Sequence, residues 1–201
     1  MNILKYLLVV VCSYLLGSIS MSILLSRGMS RGDVRSHGSG NAGATNMARV
    51  YGMGAGLLTL AGDMVKTLLA TGLGWWLLQD NGLAVAGMAC MLGHCFPIFH
   101  GFKGGKGISV GAAIGLAIDW RVFVFIIAVF LIAALLTKKV SVGSVCASVA
   151  IVAASLIFHV SVPRLILAIF GMCLAIIRHR ANLKRLAEGT EPDFKAADSK
   201  K

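Results

Sequence analysis

Charge is scarce in this chain. Only 13% of its 201 residues are charged, and eight of them are acidic. A globular chain usually carries about 25% charged and about 45–50% apolar residues. Here 57% are apolar and the mean hydropathy is +0.84, which excludes a soluble globule and a disordered protein. The five cysteines include no CxxC pair, so zinc-site spacing is missing and the thiols read as small apolar groups; no metal is expected. The apolar runs also lack the alternation of a membrane barrel, which leaves helices as the spanning form. Nor is a removable targeting segment expected. Residues 4–25 make one long apolar run, whereas a signal peptide's apolar region is about 7–15 residues, so this run is expected to stay as a first span.

Seven apolar runs are present, at 4–25, 51–78, 82–99, 108–118, 122–136, 141–159 and 163–177. The fourth has only 11 residues, whereas about 20 cross a hydrocarbon core about 30 Å thick. Seven spans put fifteen of the nineteen Lys and Arg on one side. Lys5, Arg121 and Arg164 then fall on the other side, and Lys66 lies within a span. Fusing 108–136 into one helix would bury Arg121 and erase the asymmetry. The pattern therefore predicts an all-α polytopic membrane protein with seven transmembrane helices, a short fourth span, the N-terminus outside and the C-terminus cytoplasmic. Much of the net charge of +11 is accounted for as orientation signal, and no nucleic-acid partner is implied. Residues 1–191 are expected to form one membrane domain with a cytoplasmic-face active site, followed by a disordered polar tail at 192–201.

Three polar stretches fall on the basic side. Residues 38–49 (GSGNAGATNMAR) gather three glycines with Ser39, Asn41, Thr45, Asn46 and Arg49. Glycine lets backbone N–H groups converge on an anion, and hydroxyl, amide and guanidinium groups add donors. The Gly38-x-Gly40-x-x-Gly43 spacing matches a dinucleotide fingerprint, but a membrane span precedes it where a strand is required. Lys103, Gly104, Gly105 and Lys106, in a KGGKG run after GHCFPIFHGF, join two ammonium groups to a pliable backbone just before the fourth run. A phosphate finds point charge and a helix N-terminus there. It is no ATPase P-loop, because His100 and Gly107 stand where Gly and Ser or Thr are needed. The third stretch is RHRANLKRL, where a continuous helix would align Arg178, Asn182 and Arg185 on one face beside His179. Asp63 and Lys66, at i and i+3 inside the second run, are placed to pair. Ser141 and Ser144 open the sixth run and offer hydroxyls or a cap. The role of His94, in or beside the third run, stays open.

Ser–His–Asp spacing is not suggested, and the His-x4-Asp signature of many acyl-CoA-using acyltransferases is absent. With few acids on the basic side, a mechanism here leans on phosphate binding. SGNAGATN with Arg49, then GHCFPIF with FKGGKG, then RHRANLKRL with Glu188-Gly189-Thr190-Glu191 resemble the bacterial acyl-phosphate-dependent glycerol-3-phosphate acyltransferase family (PlsY-type), in order and spacing over residues 1 to about 191. Two positions depart from that pattern. Ser109 and Val110 stand where the family commonly has Ala-Thr, and Thr67 follows Lys66 where glycine is expected. The resemblance implies acyl transfer from acyl phosphate to the 1-hydroxyl of glycerol 3-phosphate, giving 1-acyl-glycerol 3-phosphate (lysophosphatidic acid) and phosphate. It implies no cofactor, no obligatory acyl carrier protein or coenzyme A, and a place among the lipids of the bacterial plasma membrane. It assigns Ser39, Lys106 and His179 to catalysis. Gly40, Asn41, Thr45, Asn46, Arg49, Lys103, Gly104, Gly105, Ser144, Asn182 and Arg185 are assigned to substrate or phosphate binding. The alternative is a membrane transporter for a phosphorylated small molecule.

Overall fold

The computed structural model describes residues 2–30 and 32–197. These form nine α-helices and no strand: α1 Asn2–Ser18, α2 Met21–Arg27, α3 Ala44–Tyr51, α4 Met53–Cys95, α5 Ile108–Ile118, α6 Trp120–Thr137, α7 Val140–Ile157, α8 Val162–Arg178 and α9 Arg180–Ala187. Short 3-10 turns lie at Val34–Ser36 and Ile98–His100.

The run at 4–25 is two helices. Glycine and serine are weak helix formers, and Gly17-Ser18-Ile19-Ser20 interrupts the run before α2. Carbonyls opened by that break are taken by Lys66, whose Nζ donates to Gly17 at 3.0 Å and Ile19 at 2.7 Å. The same ammonium lies 2.9 Å from Asp63 Oδ1 and donates to His94 Nδ1 at 3.2 Å. Asp63 and Lys66 are 1% and 5% exposed. A lone charge at such depth is costly, so the pair and its carbonyl partners make burial tolerable.

Helix α4 contains 43 residues, but Leu78 and Gln79 leave helical geometry and the chain doubles back there. In a straight helix Lys66 and His94 would stand about 42 Å apart; here they share a hydrogen bond. The runs expected at 51–78 and 82–99 are therefore the two arms of one hairpin. A methyl group at Gly74 or Gly82 would overlap the other's backbone, so glycine sets the closeness of the arms. Helix α1 lies equally close to the second arm. A Cβ at Gly17 would strike the Cys90 carbonyl, and one at Gly93 the Tyr14 carbonyl. Such small-residue contacts are how membrane helices gain packing where lipid gives no hydrophobic drive between them.

The short fourth run is α5, with the expected bounds. Asp119 caps α6 by accepting from the Arg121 N–H. Helices α6 and α7 reverse through Lys138, which adopts φ 57°. Pro163 sits in the first turn of α8, where its missing N–H costs nothing. At the other end α8 bends by 58° into α9. The continuous face expected for Arg178, Asn182 and Arg185 is thereby broken.

The exterior is apolar: Leu57, Leu58, Leu69, Trp76, Val124, Leu135 and Leu136 are exposed, while Asp63, Lys66, Thr67, Thr71 and His94 are buried. Four helical stretches are long and apolar enough to cross a membrane, and α8 with α9 makes a fifth if the bent pair is one span. This is a multi-pass helical membrane protein. The segment expected as a disordered tail at 192–201 is placed as far as residue 197, and 198–201 lie outside the described residues. Phe194 N–H donates to Lys138 at 2.9 Å, Ala197 N–H to Ala48 at 3.1 Å, and Lys139 pairs with Asp193 at 2.7 Å.

Gly93→Val should lower the thermal midpoint of the detergent-solubilised protein markedly, because overpacking costs about 1–3 kcal/mol. Gly72, where an added Cβ meets nothing within 4 Å, should accept alanine with an equal or higher midpoint.

Candidate active site

Helices α5 to α8, the 38–49 loop and the 191–192 strap enclose a cavity of about 730 Å³, within the range of about 300–1,000 Å³ usual for small-molecule sites. Its rim is polar and its inner arm is apolar. The rim holds Ser39, Asn41, Thr45, Asn46, Arg49, Lys106, Ser144, His179, Asn182 and Arg185; the arm includes Ile114, Ile126, Ile127, Phe130, Ile151 and Met172.

On the first side of the rim, Asn46 shapes the loop. It is buried in α3, with its Oδ1 accepting from the Ser39 N–H at 2.9 Å and its Nδ2 donating to Val34 at 3.1 Å and His37 at 3.0 Å. Its amide is thus committed to holding residues 34–39 over the start of α3. The N–H groups of Asn46 and Met47 already turn back to Gly43, leaving the first turn of α3 facing the cavity with its positive end. Among the described residues the Ser39, Asn41 and Thr45 side chains and the Arg49 guanidinium make no hydrogen bond or ion pair, so these donors stay available.

The second side is built differently from the expectation. Gly104 and Gly105 do not line the cavity. Their N–H groups donate to Cys95 at 3.3 Å and His94 at 3.1 Å, and their carbonyls accept from Arg178, each at 3.2 Å. Both are buried, and a Cβ would collide with the His94 backbone at Gly104 or the His94 ring at Gly105. Glycine is needed here for close approach, and the N–H groups expected to meet phosphate are spent on the end of α4. Gly40 and Lys103 are exposed and outside the cavity lining. Arg35 bonds the carbonyls of His100 and Lys103, holding this loop to the 33–36 turn. Lys106 alone of the two lysines reaches the rim.

Lys106 Nζ donates to Asn182 Oδ1 at 2.6 Å, Asn182 Nδ2 donates to Glu191 Oε1 at 2.7 Å, and Arg185 Nε donates to Glu191 Oε2 at 2.7 Å. Burial works against ionisation of Glu191, but hydrogen bonds from Asn182 and Arg185 and the Arg185 charge hold the carboxyl below its usual range. For Lys106, burial and the nearby Arg185 charge lower the pKa to about 8, with Glu191 acting the other way. His179 Nδ1 lies 2.8 Å from the Ala175 carbonyl. A carbonyl only accepts, so Nδ1 carries the proton and Nε2 of the neutral ring is an acceptor. The rim therefore offers two cations partly offset by Glu191, one free guanidinium, several free donors and one basic nitrogen. Among the described residues no group of three His, Cys, Asp or Glu is placed to hold a metal ion.

Glu191 was not among the expected site residues, although it is the acid around which the third stretch is organised. Its sequence signals were a carboxylate beside a basic stretch and its place in the Glu188–Glu191 segment that shares in the family resemblance. His94 also lines the cavity, behind Gly105.

The chain matches the family described as Glycerol-3-phosphate acyltransferase over residues 7–189. It is 38% identical to the glycerol-3-phosphate acyltransferase of Bacillus subtilis over 188 residues, covering 94% of this chain and 97% of that protein. With the protein of the same name from Trichlorobacter lovleyi it shares 39% identity over 186 residues, 92% of this chain and 95% of that one. Two crystal structures of PlsY (YgiH), described as an integral membrane glycerol 3-phosphate acyltransferase, are similar at 33% identity. The glycerol 3-phosphate form has a TM-score of 0.90 and covers 94% of this chain and 96% of its own. The lysophosphatidic acid form has a TM-score of 0.88, with 94% and 95% covered. By its sequence over nearly its full length and by its fold, the chain belongs to the glycerol-3-phosphate acyltransferase family.

Proposed function

We propose that this enzyme acylates the 1-hydroxyl of glycerol 3-phosphate, that its donor is acyl phosphate, and that it needs neither coenzyme A nor acyl carrier protein. One observation carries the reading: a single cavity joins a cationic, donor-rich rim to a long apolar arm. Acyl phosphate has both parts, a phosphate head and an acyl tail, and glycerol 3-phosphate needs only the rim. A transporter of phosphorylated solutes has no use for an apolar arm lined by Ile114, Ile126 and Ile151.

Ser39, Lys106 and the first turn of α3 hold the donor phosphate, helped by Asn41 and Thr45. Arg49, Arg185 and Asn182 hold the acceptor phosphate, with Ser144 on the facing helix. Asn46 keeps Ser39 in place through its backbone. The acceptor hydroxyl attacks the carbonyl carbon of the mixed anhydride, the carbon–oxygen bond to phosphate breaks, and the hydroxyl proton passes to an oxygen of the departing phosphate. His179 Nε2 accepts a hydrogen bond from the neighbouring 2-hydroxyl and so aims the 1-hydroxyl at the carbonyl carbon. Phosphate is a good leaving group, so no acyl-enzyme is formed, and positioning carries the rate (about 7–11 kcal/mol in the best intramolecular cases). Lys106 stabilises the charge that develops on the leaving oxygen.

In the membrane, the α1–α2 pair, the two arms of α4, and α5 to α8 supply seven crossings. The N-terminus is outside and the active-site rim is at the cytoplasmic face of a bacterial plasma membrane. The Lys and Arg distribution supports this orientation.

Purified protein given palmitoyl phosphate and glycerol 3-phosphate should release phosphate and form lysophosphatidic acid, identified by extraction and mass spectrometry. Omitting the acceptor should abolish both products, whereas product from palmitoyl-CoA alone would overturn the donor assignment. The pKa of Lys106 near 8 sets a second expectation. Anion binding needs the protonated lysine, which is full well below that value and lost above it. The KM for acyl phosphate should therefore rise between about pH 8 and 9, and Lys106→Arg, charged throughout, should flatten that rise.

A further inference from the structure

The apolar arm of the cavity has an innermost lining residue on each helix around it. Its deepest lining residues are Met91 on α4, Ile114 on α5, Ile126 on α6, Ile151 on α7 and Gly171 on α8. One turn farther from the rim, Ile118, Val122, Ala154 and Leu167 are wholly buried and pack into the main apolar core. Along α7 the step from Ser141 at the rim to Ile151 spans ten residues, or about 15 Å of helix. Five lining positions are glycine, and two of these, Gly111 and Gly171, lie along the arm. A Cβ at Gly111, midway along α5, would meet nothing within 4 Å, and one at Gly171 would touch only Met91 Sδ at 3.7 Å. At Gly17, Gly74, Gly82 and Gly93 glycine serves close approach; at Gly111 and Gly171 it leaves room inside the cavity.

We propose that this arm is a blind pocket that measures the donor's acyl chain, with Gly111 and Gly171 keeping it open and the Ile114–Ile126–Ile151 layer as its floor. This rests on the acyl-phosphate reading above. A chain in lipid is already in apolar surroundings, so the pocket gains little by attracting methylenes. Discrimination comes from steric exclusion. A chain longer than the arm must displace packed side chains, which is steep, whereas a shorter one leaves unfilled space and loses only dispersion contacts. The chain-length profile of the enzyme should therefore fall abruptly on the long side and gently on the short side.

The test measures kcat/KM for a series from octanoyl to stearoyl phosphate with wild type, Gly111→Leu, Gly171→Ala and Ile151→Ala. Binding of 1-acyl-glycerol 3-phosphates of the same lengths is followed by calorimetry. Gly111→Leu should lower the longest accepted donors relative to octanoyl phosphate by at least about tenfold, the scale on which pockets resolve methylene differences. Gly171→Ala should do so more weakly, and Ile151→Ala should move the long-side edge to longer chains. Profiles parallel to wild type, or a Gly111→Leu loss equal at all lengths with an unchanged thermal midpoint, would overturn the ruler. If Gly111→Leu does not fold, Gly171→Ala and Ile151→Ala decide it by the same criterion. Failure of wild type to use any acyl phosphate sinks the donor assignment instead, and the binding series then decides the ruler on the product.

Discussion

A buried ammonium group with four partners organises one half of this protein. Lys66 cannot stand uncompensated in the interior of a helical membrane protein, and its partners come from three places: Asp63 one turn away, the carbonyls opened between α1 and α2, and His94 on the returning arm of α4. Satisfying the charge requires the first span to break where it does and the α4 hairpin to close in one register. His94, fixed in this way, is the wall against which Gly105 packs. The 103–107 loop and Lys106, the only lysine among the described residues to line the rim, thus inherit their position from a charge pair outside the rim.

Glycine serves two opposite purposes in the same chain. At Gly17, Gly74, Gly82, Gly93, Gly104 and Gly105 it lets backbones or a ring approach more closely than any side chain would allow. These contacts set distances between helices and loop with little freedom. At Gly111 and Gly171 the missing side chain leaves volume beside the cavity. A count of glycines does not separate these uses; only the neighbours do.

The rim balances attraction against self-repulsion. Lys106 and Arg185 stand close enough for the arginine to help depress the lysine's pKa, and Glu191 relieves that strain while Asn182 bridges the two sides. The cations keep their places without a ligand. Across the cavity, among the described residues, the Arg49 guanidinium and the Ser39, Asn41 and Thr45 side chains have no such compensation. The cavity thus presents two donor-rich sides of different character, one internally compensated and one not.

The sequence by itself determined the solvent this protein lives in, the apolar runs that become its helices, and the three polar stretches that meet at one end. Continuous apolar runs and the side-chain chemistry of phosphate recognition are local properties, written in consecutive residues. It also foretold the Asp63–Lys66 pair and the separate fifth run at Arg121. Tertiary structure decided how the donors are divided. Asn46, Gly104 and Gly105 look like phosphate ligands in the linear pattern, but their hydrogen bonds are taken by the fold. Arg178 leaves the face of Asn182 because of a bend at His179, and Glu191 enters through a strap whose placement no local pattern encodes. The physical reason is common to all of these: a polar group in a close-packed interior bonds to whatever long-range packing brings beside it, and only its chemistry, not its partner, can be read along the chain.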